Sequence, residues 1–175
     1  AGLQDRVAQA YNFPVFMDFD ESHFNANPHG KYNKIKRPLK NIFIAYSDTL
    51  AEGSEVTHTN LKERFESGDT EMLEAVETWK NLTLDFRNAL ESDDFDAMNN
   101  CINANFDLRD KLCKLHPKQI ELIKLARKSG ASAKFCGSGG AIIGMYKDEK
   151  MLNRLKSDLG QNQVNILLPE IVYSP

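Results

Sequence analysis

No run of apolar residues in this sequence of 175 approaches the ~20 that a membrane-crossing helix requires. Nor is there a surplus of positive charge. Twenty-two Lys and Arg stand against 25 Asp and Glu, for a net charge of −3. A nucleic-acid binder would show a basic excess or a basic stripe, so no nucleic-acid partner is expected. Cysteine is scarce and odd in number. Cys101, Cys113 and Cys136 follow no CxxC or zinc-ligand spacing, which argues for free thiols in a reducing compartment. The four histidines, His23, His29, His58 and His116, lack HxxxH or HExxH spacing. A site at His23 and His29, beside Asp18, Asp20 and Glu21, would be poorly shaped for zinc, so no metal ligand is assigned. The opening residues AGLQDRVAQAY contain no apolar signal-peptide core and no initiator Met. A cytoplasmic protein, processed or truncated at its start, is therefore expected.

What is present fits a soluble, membrane-free globular chain. Hydrophobic residues make up 41% and charged residues 27%, enough to bury a core. The single basic cluster, KYNKIKRPLK at Lys31–Lys40, carries five cations and no acid. It reads first as a solvated strand and linker, and second as a positive rim beside an anionic substrate.

Along the chain, GLQDRVAQAY reads as a short helix with Val7 and Ala10 on one face. PVFMDFD alternates Val15, Met17 and Phe19 with Phe16, Asp18 and Asp20, a strand pattern. NANPHG is a turn, and KYNKIK returns as the second strand of a hairpin. NIFIAYS is a central strand by its apolar β-branched content. Helical patterns follow. Ser54 caps a helix carrying Thr57, Leu61 and Phe65, closed by Gly68. Met72, Val76, Trp79, Phe86 and Leu90 keep one face of a long helix, and Met98, Ile102, Phe106 and Leu112 keep another. Pro117 opens a helix with Ile120, Ile123 and Ala126 inward, ended by Gly130. ASAKF and AIIGMY are then strands around the tight loop CGSGG. Asp148 caps a helix bearing Leu152, Leu155 and Leu159, stopped by Gly160, and VNILLPEIVYS closes the chain as a strand with an irregular end. Strands at both ends of a helical block predict an α+β fold, with helices on one face of an antiparallel sheet.

The loop at Gly137, Ser138, Gly139 and Gly140 is the first chemical candidate. Glycines allow positive φ and let backbone N–H groups converge on an anion. Ser138 adds a hydroxyl, and Lys134 lies just upstream. A ligand-free hairpin turn explains the same spacing equally well. No Gly-Lys-Ser/Thr follows, so the loop is not a Walker A sequence.

GASAKFCGSGGAIIG at Gly130–Gly144 resembles the third signature motif of the GHMP kinases, a glycine-rich segment of their C-terminal domain that packs beside the nucleotide phosphate loop. With AKF before GSGGA it looks especially like the plant-type glucuronokinases. AGLQDRVAQAY followed by VFMDFD resembles the family's catalytic-Asp stretch, and SEVTHTNLKERF and NANFDLRDKL resemble two helical segments of the C-terminal domain. Four such segments in order span nearly the whole chain.

The resemblance implies a ferredoxin-like C-terminal GHMP domain over residues 41–175 and a remnant of the N-terminal kinase domain over residues 1–40. It implies ATP and Mg²⁺ as cofactors, a sugar as substrate, and Asp5 as the catalytic carboxylate, with Arg6 beside it to neutralise developing charge. Lys134, Gly137, Ser138, Gly139 and Gly140 would support the phosphate loop. Glucuronate is the first candidate sugar, and galactose, galacturonate or arabinose are the alternatives. A substrate-binding set is not assigned. Without the resemblance, Asp5 is an acid favoured at a helix N-terminus. Asn105, Asp107 and Arg109 read as an inter-helix polar network, and Arg64 and His58 as surface residues.

The family's Gly-Leu-Gly-Ser-Ser loop does not occur here, and Asn12-Phe13 stand where relatives tend to carry paired glycines. The expectation is therefore half of an active site, inactive by itself, with the missing N-terminal half as its partner. A non-enzymatic ferredoxin-like module that binds a small molecule or a partner is the competing class.

Overall fold

A computed structural model of the chain describes residues 2–11, 13–47 and 61–171. These fall into two compact units, Ala1–Lys40 with Glu170–Pro175, and Asn41–Pro169.

In the first unit, helix α1 (Leu3–Ala10) buries Val7. Strands β1 (Val15–Asp18) and β2 (Lys31–Lys34) pair antiparallel, Val15 opposite Lys34 and Asp18 opposite Lys31. The stretch between them is not merely a turn. Glu21–Ala26 forms a short helix, α2, which the sequence pattern misses because six residues show too little periodicity. Its start signal is Asp20, whose Oδ1 accepts from Ser22 Oγ at 2.5 Å and from His23 N at 2.9 Å. Those two bonds, the hydroxyl's first, hold the Asp20 carboxyl below its ordinary range. Asp18 and Asp20 thus serve local turns: Asp18 Oδ1 accepts from Asp20 N at 3.0 Å. Tyr32 gathers the rings of Tyr11 and Phe19, at 6.3 and 6.0 Å, and Lys34 Nζ lies 4.6 Å from the Phe13 ring centre. The basic segment at Lys31–Lys40 is accordingly an exposed edge strand running on into a connection.

The second unit is built on a four-stranded antiparallel sheet. Its strands are β3 (Ile42–Tyr46), β4 (Lys134–Phe135), β5 (Ala141–Met145) and β6 (Asn165–Leu167), in the order β4-β5-β3-β6. NIFIAYS is central, as its composition indicates. Phe43 and Ala45 have no exposed surface, while Ile42, Ile44 and Tyr46 on the other face remain partly or fully exposed. Only Lys134 and Phe135 of ASAKF are in the sheet.

Helices α3 (Leu61–Glu66), α4 (Thr70–Ser92), α5 (Phe95–Leu112), α6 (Pro117–Lys128) and α7 (Glu149–Gln161) complete this unit. Ser54, Thr57 and His58 lie outside the described residues. With 23 residues, α4 is about 35 Å long. It joins α5 through Asp93, which takes the left-handed conformation (φ 61°), and Asp94, which caps α5 by accepting from Ala97 N. So short a connection makes the two helices an antiparallel hairpin. Trp79 Nε1 donates across it to the Asn105 carbonyl at 3.3 Å.

The core lies between the sheet and α5, α6 and α7. Phe106, Leu122, Ile123, Ala126, Leu152, Leu155 and Leu159 meet Phe43, Phe135 and Ile142 there. Leu122 is a core residue in addition to the expected Ile123 and Ala126, whereas Ile120 is only half-buried. Gly160 does not stop α7. The helix continues through Gln161, and the chain turns at Gln163 with φ 56°.

Candidate functional site

The glycine loop is the connection of the β4–β5 hairpin. Cys136 N donates to the Ala141 carbonyl at 3.0 Å and closes its base. Lys134 faces Ile143 and Phe135 faces Ile142 across the pair. Within the loop, Gly139 and Gly140 adopt φ of 145° and 78°, conformations that favour glycine. The loop is thus a tight hairpin whose shape depends on its glycines. Among the described residues, the backbone N–H groups of Gly137, Ser138, Gly139 and Gly140 have no hydrogen-bond partner. They are the donors such a loop would offer to an anion.

Two helices hold this loop. From α5, Arg109 Nη1 donates to the Gly137 carbonyl at 2.7 Å, and Nη2 to the Ser138 carbonyl at 3.4 Å. The guanidinium lies 5.3 Å from the centre of the Phe135 ring. From α6, the buried side-chain amide of Gln119 presses on Gly139. A Cβ there would stand 2.5 Å from Oε1 and 2.8 Å from Nε2. The C-terminal glycine of the motif has a different reason. A Cβ on Gly144 would stand 1.8 Å from the Ser132 carbonyl oxygen and 2.7 Å from the ring of Phe43, its partner across the sheet.

Lys134 is half-buried beside the loop, with Nζ 3.4 Å from the Phe135 carbonyl. Burial pushes its ammonium below the ordinary lysine range, and the Arg109 charge acts in the same direction. Cys136 is an exposed loop residue, and burial of its sulfur raises its thiol.

A second arginine braces the entry to β4. Arg127 Nη1 donates to Asp107 Oδ1 at 2.6 Å, and Nη2 to the carbonyls of Asn103 and Ala133. Asn103 Oδ1 in turn accepts from Ala133 N at 3.1 Å. The NANFDLRDKL segment is therefore in part the expected inter-helix polar network, with Asp107 and the Asn103 carbonyl meeting Arg127 of α6, while the Asn103 side chain and Arg109 reach the chain from Ala133 to Ser138. Arg109 and Gln119 were not legible as loop partners, because each reaches a residue far along the chain. Arg64 pairs instead with Asp69 and Glu71, at 2.7 and 2.9 Å.

Asp5 and Arg6 lie on α1 in the first unit and are exposed. Asp5 occupies the third helical position, where its Oδ2 accepts from Gly2 N at 3.0 Å. That is the ordinary work of an acid at a helix start. Among the described residues, no group of three or more His, Cys, Asp or Glu is placed to hold a metal ion. His23 and His29 have ring centres 6.0 Å apart.

Residues 86–166 match the family model of the GHMP kinases C terminal, a span that includes the loop, Arg109 and Gln119. Glucuronokinase 1 of Arabidopsis thaliana is 34% identical over 148 residues, covering 82% of this chain and 40% of that protein. Probable glucuronokinase 2 of the same plant is 35% identical over 149 residues, with the same coverage. The chain thus spans about two-fifths of the length of these relatives. Among solved structures, L. major mevalonate kinase in complex with R-mevalonate superposes with a TM-score of 0.65 at 14% identity, over 83% of this chain and 48% of that one. Mevalonate kinase from methicillin-resistant Staphylococcus aureus gives 0.53 at 17%, over 79% and 45%. At these identities the structures establish the fold alone.

Proposed function

This chain belongs to the GHMP kinases through its C-terminal half, and on that premise we propose that it is part of an ATP-dependent sugar kinase whose acceptor is the anomeric hydroxyl of glucuronate. The observation that carries the reading is the likeness to two plant glucuronokinases, at 34% and 35% identity over 82% of the chain. Galactose, galacturonate and arabinose are the competing sugars.

In this reading the sugar hydroxyl attacks the γ-phosphorus of ATP. The bond from that phosphorus to the β-bridging oxygen breaks, ADP leaves, and the hydroxyl proton passes to a carboxylate. Asp5 takes that proton or holds the hydroxyl in line, and Arg6 offsets developing negative charge. The loop amides of Gly137–Gly140, with Lys134 beside them, support the phosphate-bearing side. The donor set fits such a role, since N–H groups without partners and an ammonium are what a phosphate takes. Mg²⁺, when bound with the nucleotide, neutralises phosphate charge. It keeps most of its water and needs only one or two carboxylates, so a preformed cluster is not required. No residue of this chain is assigned to it.

Because phosphoryl transfer gains mainly from positioning and charge neutralisation, the 175 residues alone should turn over no sugar and bind ATP negligibly. An N-terminal half supplying the phosphate loop would be its partner. The three free thiols favour a cytoplasmic setting for the whole enzyme. No helix of the described residues is long and apolar enough to cross a membrane.

The test is a panel of sugars with ATP and Mg²⁺, assayed on a polypeptide of the relatives' length that contains this chain. Glucuronate should give the largest kcat/KM, and Asp5→Ala should lower kcat by roughly 10²–10⁴, the range for a positioned acid–base group, with little change in ATP affinity. Turnover of none of the sugars, or near-normal turnover in Asp5→Ala, would refute the reading.

A further inference from the structure

We propose that Arg109 is a positioning residue that sets the direction in which the glycine loop presents its amides, an inference that rests on the kinase reading above. A trans peptide is planar, with its C=O and N–H on opposite sides. Arg109 grips the Gly137 carbonyl at 2.7 Å, so the N–H of the same peptide, that of Ser138, is turned away from the guanidinium. The looser bond to the Ser138 carbonyl at 3.4 Å turns the N–H of Gly139 away in the same manner. Glycine peptides are the ones that need such a hold. With little steric preference at Gly137 and Gly139, the two peptides are free to reverse, and a reversed peptide would present carbonyl oxygen where a phosphate needs a donor.

Arg109 is suited to this work in three respects. It sits in the last turn of α5, a rigid element whose Phe106 packs edge-on against Phe135 at 5.1 Å. Its guanidinium is itself located by the Phe135 ring. Among the described residues no carboxylate pairs with it, so its hydrogen bonds go to the loop. A guanidinium fork spans two successive carbonyls, whereas a lysine ammonium is a single point of charge.

Two measurements test this and separate it from the kinase reading. The first uses the labelled 175-residue chain and follows the carbonyl carbons of Gly137 and Ser138 and the amides of Ser138 and Gly139 by NMR. Arg109→Ala should shift the Gly137 carbonyl upfield and broaden or split both amide peaks as the peptides reverse. Arg109→Lys should restore the Gly137 signal and leave that of Ser138 displaced. Unchanged signals in Arg109→Ala overturn the positioning role. The second uses the longer kinase. There Arg109→Ala should lower kcat about tenfold or more, a loss in the range found for misplaced groups near the chemistry, with the sugar KM little changed. Millimolar guanidinium should recover part of it. If the NMR signals move as expected while turnover stays normal, the positioning stands and the kinase role of the loop is refuted.

Discussion

Gly139 is the position at which backbone and packing constraints coincide, and Gly139→Ala tests both. The new methyl would lie 2.5 Å from Gln119 Oε1, 2.8 Å from Nε2 and 2.9 Å from Cδ, well inside the ~3.5–4.0 Å of ordinary contact. Gln119 cannot swing away into water, because it is only 3% exposed. Overpacking of this kind costs about 1–3 kcal/mol. An L-residue at φ 145° adds strain of about 1–3 kcal/mol. A total near 3 kcal/mol corresponds to a fall in melting temperature of roughly 10 °C for a unit of this size. Trp79, the single tryptophan, lies in the same unit and reports its unfolding by fluorescence. Gly137→Ala is the control. Nothing lies within 4 Å of its Cβ and its φ is not positive, so a change within about 0.5 kcal/mol is expected. Combining Gly139→Ala with Gln119→Ala relieves the packing share and leaves the backbone share, giving a coupling of about 1–3 kcal/mol in a double-mutant cycle. A Gly139→Ala protein that melts with the parent, or a Gly137→Ala protein that melts below it, refutes the account.

The acid limb of the stability profile should depend on Arg64. Its hydrogen bond is the largest influence holding Asp69 below 3.8, and it is second to Lys111 in holding Glu71 below 4.5. Both carboxylates are depressed in the folded chain, so the unfolded chain binds more protons as pH falls. Their stabilisation is present above the unfolded values and is lost as pH drops below about 4 through the folded ones. Urea unfolding at stepped pH should show a shallower decline for Arg64→Gln, and equal slopes would refute the linkage. At the start of α7, Asp148 Oδ1 accepts from Met151 N at 2.8 Å. Asp148→Ala should cost about 1 kcal/mol and Asp148→Asn much less, compared by urea midpoints. Equal losses in the two variants would contradict the capping role.

Regular elements were legible where local physics decides them. The β-branched run of NIFIAYS marked a central strand, and the 3.6-residue spacing from Met72 to Leu90 marked a helix whose observed span is 23 residues. Pro117 at a first helical position and Asp148 at a cap needed no tertiary information. The misses have physical causes as well. Helix α2 is too short to show a period. Gly160 costs its helix only about 1 kcal/mol, and Leu155 and Leu159 keep α7 in place by complete burial, so the turn falls at Gln163 instead. Gln119 and Ser132 are buried polar residues within apolar surroundings, and nothing in their neighbours along the chain marks them.

The sequence by itself determined the α+β class, the four segments that resemble GHMP kinases, and the glycines that allow a loop at residues 137–140. Composition and spacing act locally, so they are readable from the chain. What the loop does with that freedom was decided only by the tertiary structure. Arg109 is 28 residues from Gly137 and Gln119 is 20 from Gly139, and each reaches its target only because α5 and α6 pack beside the β4–β5 hairpin. Glycine makes many backbone conformations available, and the side chains of two distant helices select the one that leaves the loop amides without partners.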